Sequence, residues 1–129
     1  MTRLFGGLLL LLFARGLGAQ VDAVLRLHGT DAEMRVANPT AKQLHVAITL
    51  FQDSTLTDSV PARISPQTFT LQSGGRQVVR IRLREPIKPG TVLRLATLFS
   101  PVVEEPEPPR PTMRFILATR IITRVEAGP

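Results

Sequence analysis

Cysteine, tryptophan and tyrosine are absent from this chain of 129 residues, and histidine occurs only as His28 and His45. Without cysteine there is neither a disulfide framework nor a thiolate metal site. The two histidines fall on different predicted strands with no acidic pair at ligand spacing, so both are expected as surface side chains. No metal or other cofactor is expected. The six phenylalanines are the only aromatics, so aliphatic side chains must build the core. The arginines also lack the stacking aromatics that single-strand nucleic-acid binders require. No Gly-x-Ser-x-Gly element or Ser-His-Asp arrangement can be assembled, and Gly74-Gly75 follows no strand-to-helix phosphate-loop pattern. Neither an enzyme nor a nucleic-acid partner is expected.

Long apolar runs are equally scarce. The one present, Leu4 to Phe13, is ten residues long, whereas a bilayer-spanning helix needs about 20. With Arg3 before it and Gly16-Leu17-Gly18-Ala19 after it, residues 1–19 have the form of a cleavable secretory signal peptide. The sequence thus predicts a periplasmic or otherwise exported protein with no stable membrane span after cleavage. Residues 20–129 are then one domain. Loss of Arg3 and Arg15 lowers the net charge from +6 to +4, a basic balance that fits a solvated arginine face or binding of anionic polymers.

What fills the domain is strict alternation. Ala32, Met34 and Val36 alternate with Asp31, Glu33 and Arg35, and Leu44, Val46, Ile48 and Leu50 alternate with His45, Ala47, Thr49 and Phe51. Each pattern predicts a strand with one buried face. Val21, Ala23, Leu25 and Leu27 predict a single first strand ending at His28-Gly29. Leu71 to Leu83 reads as a hairpin turning at Ser73-Gly74-Gly75, with Val79, Ile81 and Leu83 inward and Arg80, Arg82 and Arg84 outward. Between Pro61 and Pro66 only a short edge strand fits, and Thr91 to Phe99 returns as a strand. Residues 101–112 hold five of the eleven prolines together with Glu104, Glu105 and Glu107, a long extended loop within the domain. The last strand, Met113 to Val125, carries apolar residues on both faces. It is either a central strand covered on both sides or an exposed edge that pairs with another chain. Short strands, frequent turn signals and no amphipathic helix predict an all-β, immunoglobulin-like sandwich of about seven strands.

The order of these features resembles the N-terminal immunoglobulin-like domain of periplasmic pilus (fimbrial) chaperones. The matching pieces are Val36-Ala37-Asn38-Pro39-Thr40 leading into Leu44-His45-Val46-Ala47-Ile48, then Ile64-Ser65-Pro66. Phe69-Thr70-Leu71-Gln72-Ser73-Gly74-Gly75-Arg76-Gln77-Val78-Val79-Arg80-Ile81 follows, similar to the family's Leu-x-Pro-Gly-x-x-Gln-x-Val-Arg-Ile segment. The resemblance implies a chaperone that lends its last strand to an incomplete pilus subunit by β-strand addition. It makes Ile116, Ala118 and Ile122 the candidate partner-binding side chains. It also implies an anchor for the subunit's C-terminal carboxylate, with Arg26 in the first-strand role. Arg120 or Arg124 would stand for the family's last-strand lysine, whose best-matching position here is Ile122. The family has a second domain where this chain ends, and Leu95 to Pro101 lacks the family's Arg-x-Ile-Pro ending. A single-domain relative is therefore expected. The alternative is a structural or accessory immunoglobulin-like protein of the cell envelope whose last strand is internally covered. A third reading, binding of anionic envelope polymers through Arg80, Arg82 and Arg84, predicts strong salt dependence.

Overall fold

The computed structural model describes residues 18–102 and 118–128. They form nine strands and no helix: β1 (Gln20–Val21), β2 (Val24–Leu27), β3 (Asp31–Ala37), β4 (Leu44–Phe51), β5 (Ala62–Ser65), β6 (Thr68–Leu71), β7 (Arg76–Leu83), β8 (Val92–Pro101) and β9 (Thr119–Ala127). Strands β1-β3-β7-β5 make one sheet and β2-β9-β8-β4-β6 the other. All of the predicted signal segment but Gly18 and Ala19, most of the Pro-rich loop and Met113 to Leu117 lie outside the described residues.

The alternation read from the sequence is the alternation of burial. Met34 and Val36 of β3, Val46 and Ile48 of β4, Val79 and Ile81 of β7, and Leu95 of β8 meet in one core between the sheets. Enclosing each such side chain contributes about 1.5–3 kcal/mol, so the aliphatic core replaces the aromatic anchors the chain lacks. Most outward positions are polar or charged, with Val24, Val78, Leu98 and Ile122 as exposed apolar exceptions on the strands. On the four-stranded sheet, Asp31 of β3 lies opposite Arg82 of β7, and Glu33 lies opposite Arg80. Both pairs close, with Asp31 accepting from Arg82 Nε at 2.9 Å and Glu33 lying 3.5 Å from Arg80 Nε. The Asp31 carboxylate accordingly holds the Arg82 guanidinium above its ordinary pKa.

Two expectations are corrected. Leu71 to Leu83 is not a hairpin: β6 pairs with β4 in the five-stranded sheet, whereas β7 pairs with β3 and β5 in the other. The Ser73-Gly74-Gly75 turn carries the chain across the sandwich from one sheet to the other. Its glycines remain necessary, because Gly74 has φ +76° and a Cβ on Gly75 would sit 2.9 Å from the Gln72 carbonyl oxygen. The predicted first strand is also divided. β1 pairs antiparallel with β3, and after Asp22-Ala23 the chain changes sheet to become β2, parallel to β9. Ala23, at the change, is exposed rather than in the core.

Asn38 secures the crossing between β6 and β7. It is almost wholly enclosed, at 1% exposure. Its side-chain amide donates to the carbonyls of Lys42 (2.7 Å), Leu71 (3.1 Å) and Gln72 (3.1 Å), and its Oδ1 accepts from the Thr40 N–H. Its main chain completes the tie: the Asn38 N–H donates to Gly75 O (2.9 Å), and the Gly74 N–H donates to Asn38 O (2.7 Å). Carbonyls at a sheet change have no ladder partner, and a buried unpaired carbonyl costs about 1–3 kcal/mol.

The β4–β5 connection is organised by Asp53. Its carboxylate accepts from the Thr55 and Thr57 hydroxyls and from the N–H groups of Thr57 and Asp58. The Thr55 hydroxyl is the largest of several hydrogen-bond causes that hold this carboxyl well below the ordinary range.

Replacing Asn38 by alanine is expected to lower the unfolding free energy by about 3 kcal/mol, measured as a shift of the urea midpoint at constant slope. The Asp53 contribution to stability is present above its unfolded-state pKa and fades as the pH falls below that value. Between about pH 4 and pH 2, amide exchange at Thr57 and Asp58 should accelerate, and Asp53→Asn should remove that pH dependence.

Candidate functional site at the last strand

β9 has unequal neighbours. Along one edge it is paired with β8 throughout, from Thr119 opposite Phe99 to Glu126 opposite Val92. Along the other edge β2 covers only Arg124 to Ala127, and the Arg124 N–H donates to Ala23 O just before β2 begins. Backbone groups point to alternate sides of a strand. The N–H and C=O groups of Arg120 and Ile122, which share the parity of Arg124, therefore face an edge that no described strand covers. β9 thus combines features of both sequence readings. It lies inside the sheet order, one face enters the core through Thr123 and Val125, and half of one edge is open.

The open length is set by where the first segment of the chain changes sheets. Asp22 sits at that change and binds both sheets. Its main-chain oxygen accepts from the Thr123 hydroxyl at 2.6 Å, and its carboxylate accepts from the Arg35 N–H at 2.9 Å. The chain before Asp22 belongs to β3's sheet, so it cannot continue along β9. Sequence reasoning gave Asp22 no role. Its one visible signal is a carboxylate interrupting an apolar alternation between Val21 and Ala23.

Of the proposed partner-binding side chains, Ile116 lies outside the described residues. Ala118 and Ile122 are both exposed, Ile122 at 38%. Arg120 stands between them on the same outward face. The neighbouring strands extend this face. Ala96 of β8 lies opposite Ile122, and exposed Leu98 lies opposite Arg120. Exposed Val24 of β2 lies beside Arg124.

The candidate carboxylate anchors are not all brought together. Arg26 on β2 is in register with Glu126, two residues beyond Arg124 on the same outward face. Arg124 is ion-paired with Glu126 at 2.9 Å. Arg120 lies four positions back along the strand, about 13 Å away. Arg94 of β8, directly opposite Arg124, joins the Arg26–Arg124 end and was not singled out from the sequence. Its outward position follows from the buried Leu93 and Leu95 on either side. A carboxylate arriving here would meet Arg26, Arg94 and Arg124, and would compete with Glu126 for the last of them. Among the described residues no group of three or more histidine, aspartate or glutamate side chains is placed to hold a metal ion. No helix of the described residues is long and apolar enough to cross a membrane.

Replacing Asp22 by alanine should speed hydrogen exchange at the Arg35 and Arg124 amides and leave the β4–β8 ladder protected. Hydrogen–deuterium exchange resolved by NMR reads both regions in one sample.

No protein-family model matches the sequence, and no curated protein matches it. Solved structures do match. A chain from the Salmonella enterica complex of SafA pilin with the SafB chaperone aligns with TM-score 0.62 at 17% identity, over 87% of this chain and 54% of that one. The Escherichia coli chaperone DraB aligns with TM-score 0.66 at 13% identity, over 88% and 56%. WR4, an MSP family member of Caenorhabditis elegans, aligns with TM-score 0.55 at 16% identity, over 85% of this chain and 97% of its own. The chain therefore spans a little over half the length of the chaperone chains it matches. Its fold is the chaperone-like immunoglobulin-like sandwich, which MSP-domain proteins share.

Proposed function

We propose that this protein is an exported, periplasmic chaperone-like module that captures an incomplete β-sandwich partner of the pilus-subunit type by β-strand addition along β9. The observation that carries this reading is the half-open edge of β9, where Arg120 and Ile122 offer backbone groups that no described strand pairs, beside an exposed apolar side chain. An incoming strand would extend the five-stranded sheet, and Ala118 and Ile122 would fill alternate positions of its groove. Ile116 would continue the same parity. Arg26 with Arg124 would receive the partner's C-terminal carboxylate, since a guanidinium binds a carboxylate through two parallel hydrogen bonds. The SafA–SafB complex, a chaperone bound to a pilin, supplies the likeness in partner class. No enzymatic step enters this reading, in keeping with the chaperone neighbours.

A second reading is a structural or accessory envelope module. It is favoured by the full pairing of β9 with β8 and by Thr123 and Val125 in the core. The match over nearly the whole length of an MSP-domain protein fits it as well.

The two readings separate on one experiment. A photo-crosslinking side chain is placed at Arg120 in the native cell, and captured chains are identified by mass spectrometry. The chaperone reading expects an exported β-rich protein lacking one strand of its own sandwich. Ile122→Asp should reduce its capture at least about tenfold without changing the melting temperature by more than a few degrees. A folded protein that crosslinks only within itself leaves the structural reading in place.

A further inference from the structure

The outer face of the four-stranded sheet carries charge in rows that the sequence alone did not assemble. Across one row, Asp31 of β3, Arg82 of β7 and Arg63 of β5 stand side by side. In the next, Glu33, Arg80 and Ser65 do so. The β3 carboxylates satisfy Arg80 and Arg82 from one side only. That corrects the grouping of Arg80, Arg82 and Arg84 as equivalent free cations. Arg63 and Arg84 form no ion pair among the described residues, and Glu85, the nearest carboxylate in sequence to Arg84, forms none with it.

Arg63 and Arg82 are directly opposed across an antiparallel pair, with Cβ atoms about 5 Å apart, and like charges so placed repel. Arg84 lies two residues after Arg82, one residue past the end of β7. These three arginines and Gln67 line an open hollow of about 740 Å³ beside β5. Asp31 holds Arg82 through Nε, and the terminal amino groups of that guanidinium have no hydrogen-bond partner among the described residues. The edge itself is closed to another strand. β5 is four residues long and is bracketed by Pro61 and Pro66, neither of which has an N–H to donate. What this edge offers is side-chain chemistry.

We infer that Arg63, Arg82 and Arg84 form a binding site for a phosphate-bearing anion with two closely spaced negative charges, of the diphosphate or phosphomonoester class. Two charges are what the site lacks, since Arg63 and Arg84 are uncompensated and Arg82 is already matched by Asp31. A monovalent carboxylate would leave one guanidinium unanswered, whereas a phosphate group presents several acceptor oxygens to the planar donor forks of two arginines. The site is on the opposite sheet from β9, so it stands or falls independently of strand addition.

The full chain is titrated with inorganic pyrophosphate while its backbone amides are followed by NMR, and in parallel is floated with vesicles of phosphatidylcholine containing phosphatidic acid, whose headgroup is a phosphomonoester, or of phosphatidylcholine alone. Localised shifts at residues 62–65 and 82–84 on pyrophosphate support the site and assign it to soluble phosphates. Flotation with phosphatidic acid vesicles without pyrophosphate shifts supports it and assigns it to a lipid headgroup. In either arm Arg63→Ser and Arg84→Ser should each weaken binding about tenfold, whereas Arg76→Ser, further along the same face of β7, should leave it within about twofold. Absence of binding in both arms overturns the inference. So does binding that Arg63→Ser and Arg84→Ser leave unchanged.

Discussion

A buried side-chain amide holds the architecture together where ladder hydrogen bonds cannot. A sandwich needs segments that leave one sheet and enter the other, and the backbone of each such segment has no strand beside it. Between β6 and β7 the Asn38 amide takes up the carbonyls of Leu71, Gln72 and Lys42, and its own main chain pairs with Gly74 and Gly75. Asn38 also ends β3, which pairs with β7, and its contact at Lys42 lies just before β4, which pairs with β6. One residue thus locks the relative position of the strands leaving and entering both sheets. Aspartate could not do this, because a carboxylate offers no donors to three carbonyls.

Asp22 solves the same problem at the β1–β2 sheet change with opposite chemistry. Its carboxylate accepts the orphan N–H of Arg35 on one sheet, and its main-chain oxygen accepts the Thr123 hydroxyl on the other. The consequence reaches the candidate site directly. Because the chain is committed to β3's sheet up to Asp22, β2 starts too late to cover Arg120 and Ile122. The open edge is a by-product of how the first segment satisfies its backbone, so a shift of that switch by four residues would close it.

Which face each residue occupies was legible because a strand has a period of two. The inward sets of β3, β4 and β7 follow from parity alone, whereas the exposure of Ile122 does not, because β9 carries apolar residues on both faces. Which sheet a strand joins was not legible. A Ser-Gly-Gly turn has the same local chemistry whether it reverses the chain within a sheet or carries it between sheets, so the segment around Gly74 read as a hairpin. Asn38 was visible only as a turn residue, since nothing local marks an asparagine that will be enclosed by carbonyls 33 and 34 positions away. The arginines divide for a similar reason. Arg26 and Arg124 come to share one outward face because β2 runs parallel to β9, a long-range pairing, whereas the grouping of Arg80, Arg82 and Arg84 ignored the carboxylates of β3 and the presence of Arg63 on β5.

The energetics of the proposed strand addition at β9 follow from this partial opening. The groups of Arg120 and Ile122 supply only a few new main-chain hydrogen bonds, each worth about 1 kcal/mol net, which is little against the entropy of ordering a partner strand. Side chains must therefore carry the affinity. Ile122 supplies apolar area, but Arg120 on the same face would have to keep its charge in solvent by extending along the groove rim, since burying it unpaired costs more than the neighbouring isoleucine contributes. At the far end the anchor is already partly occupied, because Arg124 holds Glu126 at 2.9 Å. An incoming carboxylate displaces an exposed pair worth at most about 1 kcal/mol and gains Arg26 and Arg94 as well, so the exchange favours the partner. That balance predicts selectivity for chains ending near the site: an internal strand of the same sequence would meet three arginines and only one carboxylate, Glu126.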